Sequence, residues 1–171
     1  MASTATMSEP AALQNDARAG KYLTFHLVQE EFGIRVLKVR EIMGVQEITA
    51  VPQTPAHVKG VINLRGKVIP VIDLRLKFGL PAAEYGQRTC IIVAQVQGEA
   101  GPIQMGVIVD GVSEVLNLTG AEIEDTPDFG GDSTNQFLLG MAKVKGKVKI
   151  LLDIDKVLSC QDLRNLAEMI H

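Results

Sequence analysis

Lys59-Gly-Val-Ile-Asn-Leu-Arg-Gly-Lys-Val-Ile-Pro-Val-Ile-Asp-Leu-Arg75 is the stretch from which the rest of the chain is read. Its two apolar runs, Val61 to Leu64 and Val68 to Ile72, are rich in β-branched residues, which suit a pleated, half-buried surface. Arg65-Gly66-Lys67 between them carries the glycine of a tight turn, so the stretch predicts a β-hairpin. Gly66, which has no Cβ to clash, is expected to absorb most of the backbone demand, with Arg65 exposed beside it at the tip. Asp73 is placed to cap a short helix, Leu74 to Phe78, that Gly79 and Pro81 end.

The hairpin occurs twice. At one constant spacing, Gly60, Leu64, Arg65, Gly66, Lys67, Val68 and Asp73 fall without a gap on Gly140, Val144, Lys145, Gly146, Lys147, Val148 and Asp153. Upstream, Gly33 to Ile42 mirrors Gly106 to Val115, with Val112 on Val39 and Glu114 on Glu41. Ile123 to Pro127 likewise echoes Ile48 to Pro52, and an acidic, glycine-containing loop through Asn135 accounts for the longer spacing downstream. One design is used twice in the chain.

Around the repeats, Leu23, Phe25 and Leu27 alternate with Thr24 and His26, and Phe32, Ile34 and Val36 resume the alternation after Gln29-Glu30-Glu31, which predicts another hairpin. Val39, Ile42 and Met43 stand at three- and four-residue spacing, which predicts a helical turn or a short helix over Leu37 to Met43. A brief strand is expected over Ile48 to Val51 and a strongly apolar one over Arg88 to Val96. Each half thus offers about five short strands with regular turn signals, the pattern of a small closed barrel. Halves this small have little core of their own and should share strands or pack extensively. The expected organisation is a flexible leader over 1–19, two intertwined barrels over about 20–86 and 87–158, and a C-terminal helix over 159–171, whose stripe includes Leu163, Leu166, Met169 and Ile170.

Composition narrows the function. The chain has 171 residues, 46% of them hydrophobic and 22% charged, with a formal net charge of −3, an ordinary balance that does not suit a general polyanion binder. No run of about eighteen apolar residues and no secretory leader is present, and the two cysteines, Cys90 and Cys160, form no C-x-x-C pair, so a reducing cytoplasm is expected. His26, His57 and His171 have no ligand partners at metal spacing, and no Gly-rich phosphate loop follows a strand, so neither metal, cofactor nor catalytic activity is expected. Lys143, Lys145, Lys147 and Lys149 form a stripe that offers one alternative, a small-barrel nucleic-acid binder. Aromatics for base stacking are absent nearby, and lysines also keep an exposed strand from pairing indiscriminately. What remains is apolar surface near the hairpins and Val39 to Met43, which suggests protein docking; composition alone is equally compatible with its all being core.

The motifs Tyr22-Leu-Thr-Phe25, Val39-Arg-Glu-Ile42, Ile48-Thr-Ala-Val-Pro52, Val58-Lys-Gly-Val-Ile-Asn-Leu-Arg-Gly66 and Ile69-Pro-Val-Ile-Asp-Leu74, with Gly106-Val-Ile-Val-Asp-Gly-Val-Ser-Glu-Val115 and Leu151-Leu-Asp-Ile-Asp-Lys156, resemble the CheW-like domain family. With neither a kinase nor a receiver region in the chain, the stand-alone chemotaxis coupling form is the nearest. The resemblance implies an all-β fold of two packed five-stranded SH3-like barrels. It also implies a non-enzymatic adaptor between the cytoplasmic tips of methyl-accepting chemotaxis receptors and the regulatory domain of the kinase CheA. Such an adaptor would be cytoplasmic, at receptor arrays beneath the inner membrane and held there only through the receptors. Carried over by motif, Val39, Glu41, Gly60 and Arg65 are the expected binding positions, and Ile42, Val107 and Val109 are expected to line a receptor groove between the barrels. For Arg65, the expected carboxylate is Glu41 or an acidic residue of the partner.

Overall fold

The computed structural model describes residues 17–98, 101–125 and 137–158. Most of the expected leader, the acidic loop around Asp128 to Asp132, Cys160 and the expected C-terminal helix lie outside the described residues. The chain is mostly β. Its strands are β1 (Gly20–Leu27), β2 (Glu30–Arg35), β3 (Val39–Gly44), β4 (Val58–Leu64), β5 (Lys67–Asp73) and β6 (Cys90–Gly98), followed by β7 (Gly101–Val109), β8 (Gly111–Leu118), β9 (Ile123–Glu124), β10 (Leu138–Val144) and β11 (Lys147–Leu152). They form a five-stranded sheet, β3-β6-β7-β5-β4, and a six-stranded sheet, β8-β1-β2-β11-β10-β9, which make up the pair of SH3-like barrels.

Neither sheet coincides with one half of the chain. The first hairpin of each half, β1–β2 or β6–β7, joins the remaining strands of the other half. The joins are antiparallel between β1 and β8 and between β3 and β6, and parallel between β5 and β7, where Val71 faces Gly106, and between β2 and β11, where Gly33 faces Leu151. This exchange explains why the strands read as nearly continuous apolar runs: alternate residues bury on opposite faces. Along β6, Ile91 and Val93 point into the core of the five-stranded barrel, whereas Ile92, Ala94 and Val96 point into a larger core between the barrels. Along β1, Tyr22 enters the core of the six-stranded barrel, whereas Leu23, Phe25 and Leu27 enter the shared one.

The hairpin turns are sharper than the single-glycine expectation. Arg65 and Gly66 have φ of 52° and 86°, and Lys145 and Gly146 have φ of 53° and 78°. Both central residues of each two-residue turn are therefore left-handed, the type I′ geometry whose twist matches the flanking strands. Arg65 carries backbone strain as well as a side chain. Asn63 Oδ1 accepts the Gly66 N–H at 2.8 Å and holds the first turn.

Two local expectations change. Val39 to Met43 is a strand, not a helical turn; a 3-10 turn over Val36–Lys38 precedes it and a bulge interrupts its register between Val39 and Glu41. That extra residue produced the helix-like spacing. Ile48 to Val51 contributes only a single bridge, Thr49 to Val61.

Asp73 and Asp153 cap the single-turn helices Leu74–Lys77 and Ile154–Val157, accepting from the N–H groups of Arg75 and Asp155. Each helix is then pinned across the exchange, with reversed charge. Arg75 grips Asp110 through Nε at 2.7 Å and a terminal nitrogen at 2.6 Å, and Asp110 also accepts the Val28 N–H. Asp155 pairs with Lys38 at 2.7 Å and accepts the Gln97 N–H.

The join between β2 and β11 contains Lys149, 4% exposed, in contact with the Glu31 carboxylate directly across the strands. Desolvation pushes the Lys149 ammonium below the usual lysine range. By the two repeat spacings, the matching positions in the other sheet are Ile69 and Gln104. A buried charge opposite Ile69 would be unpaired, so the ion pair disfavours closure of β2 onto its own half's β5.

Two outcomes follow from these contacts. Glu31→Gln leaves the Lys149 charge without its partner and should lower stability by about 3 kcal/mol in urea titrations, whereas Glu31→Gln with Lys149→Ile, copying the other sheet, should recover most of the loss. For Asp110, burial alone would raise the carboxyl, but the Arg75 and Val28 hydrogen bonds outweigh it and the net shift is downward. A depressed carboxyl contributes stability that is complete above its unfolded value of about 3.9 and is lost as pH falls through the lower folded value. Acid unfolding followed by circular dichroism should therefore begin at higher pH in Arg75→Gln than in the unaltered protein.

Candidate docking surface

Strands β3 and β4 are the two edges of the five-stranded sheet, and a side-chain clasp links them. Arg65 donates to Glu41 through both terminal nitrogens, at 2.9 and 2.7 Å, the two-pronged geometry of a guanidinium on a carboxylate. Glu41 is half-buried on β3, while Arg65 is 75% exposed in its side chain. The Thr49–Val61 bridge and a hydrogen bond from Gln46 to the Asn63 carbonyl at 3.3 Å join the segment that follows β3 to β4. Two apolar side chains near the clasp remain in solvent, Ile42 on β3 at 45% and Val68 on β5 at 53% exposure. The result is a directed charge pair with free guanidinium surface beside exposed aliphatic carbon, which suits a protein partner.

The other expected positions separate. Val39 is half-buried against the core between the barrels, next to the β3 bulge. Gly60 has φ of 141°, and a Cβ there would lie 2.7 Å from the Thr49 carbonyl carbon, so this glycine admits a crossing backbone. Val107 and Val109 are each 1% exposed and belong to the shared core, so their side chains offer no surface to a groove. From Met105 to Val109 both faces of β7 are buried, and an apolar run does not reveal which face meets solvent.

In the six-stranded sheet Val115 and Val148, at 53% and 46% exposure, stand at the repeat positions of Ile42 and Val68. Glu114 and Lys145 replace Glu41 and Arg65 there and are exposed, and among the described residues they make no ion pair with each other. The ends of the molecule are alike in apolar pattern and unlike in charge arrangement. Sequence reasoning did not separate them, because the repeat keeps the charge sign at both positions.

The residues considered for other chemistry do not converge. Lys149 is inside the protein and Lys143 lies 3.7 Å from Glu124, which breaks the lysine stripe. Cys90 is buried, which pushes its thiol up and away from a reactive thiolate. His26 has Glu31 at 3.7 Å, and among the described residues no cluster of His, Cys, Asp and Glu is arranged to hold a metal.

Fold and surface together define an all-β scaffold with two pseudo-equivalent ends. The CheW-like domain model matches residues 21–161, and the chain belongs to the CheW-like domain family. It is 39% identical to the chemotaxis protein CheW of Klebsiella aerogenes over 95% of this chain and 94% of that protein. To the protein of the same name from Rhizobium meliloti it is 36% identical, over 82% of this chain and 88% of the relative. The crystal structure of the scaffolding protein TtCheW from Thermoanaerobacter tengcongensis superposes with a TM-score of 0.72 at 31% identity, covering 84% of this chain and 95% of that one.

Surface and backbone roles can be told apart by stability. Arg65→Glu and Glu41→Gln break an exposed pair and should each change the free energy of unfolding by about 1 kcal/mol or less. Gly60→Ala forces a Cβ into the Thr49 backbone at a positive φ and should cost roughly 3 kcal/mol or more in the same urea titration.

Proposed function

We propose that this protein is a non-enzymatic adaptor that couples methyl-accepting chemotaxis receptors to the histidine kinase CheA, so that receptor state controls kinase activity. The observation that carries the reading is the exposed Arg65–Glu41 clasp flanked by Ile42 and Val68. Membership of the CheW-like family and the relatives named chemotaxis protein CheW support the same direction. In this reading the clasped end docks on the CheA regulatory domain, and a receptor helix contacts Val39 and Ile42 between the barrels. Val107 and Val109 act indirectly, by setting how the barrels pack against each other. Work would take place in the cytoplasm at receptor arrays, with attachment to the membrane through receptors alone. Among the described residues, no helix is long and apolar enough to cross a membrane.

The test is reconstitution with receptor-containing membranes and candidate CheA proteins, reading kinase autophosphorylation and co-sedimentation. Arg65→Glu should fold normally yet lose receptor-coupled kinase stimulation by tenfold or more, because it places like charges together, equivalent to about 1.4 kcal/mol or more in coupling. Arg65→Lys should fall between, since it keeps the charge and loses the fork. Val39→Asp should weaken receptor binding more than CheA binding, an unpaired charge being costly in a desolvated contact. Normal stimulation by a folded Arg65→Glu protein would remove the assigned role.

A further inference from the structure

The two ends of the molecule share almost every local device. Each hairpin tip has two left-handed residues, Arg65 and Gly66 or Lys145 and Gly146. Each facing carboxylate, Glu41 or Glu114, stands at a register shift of its strand. Yet the pair closes at one end, Arg65 on Glu41 at 2.9 and 2.7 Å, and among the described residues not at the other. One further difference lies three residues before each glycine. Asn63 Oδ1 accepts the Gly66 N–H at 2.8 Å. At the repeat position stands Lys143, which has no acceptor and lies 3.7 Å from Glu124.

The Asn63 bond is surplus to the fold. It lies in solvent, where a protein hydrogen bond replaces one to water and adds little stability. The second hairpin reaches the same backbone angles without it. What the bond restricts is movement. Arg65 occupies a position that Asn, Asp or Gly ordinarily takes, because a longer side chain is strained at positive φ. Such a turn relaxes when the peptide between its central residues turns over, and that peptide carries the N–H that Asn63 holds. Asn63 is itself anchored: Gln46 donates to its carbonyl at 3.3 Å, and it faces Val68 across the hairpin.

We propose that Asn63 is the positioning residue for Arg65, keeping the guanidinium forked on Glu41 and so deciding which end of the molecule carries the directed charge pair. The inference rests on the docking role proposed above for that pair and adds the residue that aims it. A fork needs both terminal nitrogens on the carboxylate, so a small swing at the hairpin tip, amplified along the side chain, costs one of the two bonds. Lys145 ends in a point charge with no plane to align, and its turn carries no such lock.

Asn63→Leu keeps the shape of the side chain and removes the acceptor. Asn63→Ser restores an acceptor, since serine makes the same bond to the third N–H beyond it at helix starts. Nitrogen-15 NMR of the free protein tests the aim without any partner. The terminal guanidinium resonances of Arg65, held apart by the fork, should merge in Asn63→Leu and stay apart in Asn63→Ser. The Gly66 amide should exchange with water about tenfold faster in Asn63→Leu and at nearly the unaltered rate in Asn63→Ser, while both keep the unaltered urea midpoint. In the reconstituted receptor and kinase assay, Asn63→Leu should lose stimulation by roughly threefold or more and Asn63→Ser should retain it. Separate guanidinium resonances in Asn63→Leu would overturn the proposal, as would a loss of stimulation that serine does not restore. If Arg65→Glu leaves stimulation intact the docking reading fails, and the spectra still decide whether Asn63 aims Arg65.

Discussion

Everything in this molecule depends on the parallel pairing of β5 with β7 and of β2 with β11, because these contacts carry the first hairpin of each half into the sheet of the other. A barrel made from one half alone would lack the strands that lie in the middle of its sheet. Exchange completes both sheets at once and presents a second apolar face from each, so the largest core is the one between them, where Phe25 and Phe32 from one sheet join Ile92, Val107 and Met105 from the other. The halves therefore cannot separate without exposing the inner faces of both. For a scaffold this matters, since two docking ends held by one continuous core keep a fixed spacing.

Near-symmetry gives such a scaffold two ends, and departures from symmetry make them different. The apolar pattern is kept in Ile42 with Val68 and in Val115 with Val148. Charge arrangement is not: Arg65 is forked onto Glu41, whereas Lys145, a point charge without the planar fork, leaves Glu114 apart. Like departures occur inside. Lys149 with Glu31 occupies the join that Ile69 and Gln104 occupy in the other sheet, and the helix locks reverse sign between Arg75–Asp110 and Lys38–Asp155. A duplicated design whose halves must exchange strands needs features of this kind, because otherwise each hairpin would find its own half equally acceptable.

The amino-acid sequence alone determined the local chemistry: the paired hairpins, the glycine turns, the aspartate caps at Asp73 and Asp153, the internal repeat and the family resemblance. These are set by residues close together in the chain, where β-branching, turn geometry and capping act directly. Only the tertiary structure decided which hairpin enters which sheet, since the two repeats carry the same apolar alternation and either pairing buries it. The same ambiguity hid Val107 and Val109, because a strand buried on both faces has no polar side to orient it. The β3 bulge made a strand read as a helical turn by adding one residue to its period. The sequence narrowed the Arg65 acceptor to Glu41 or a partner's carboxylate, and folding chose Glu41, far back along the chain, by bringing the two edges of the sheet together.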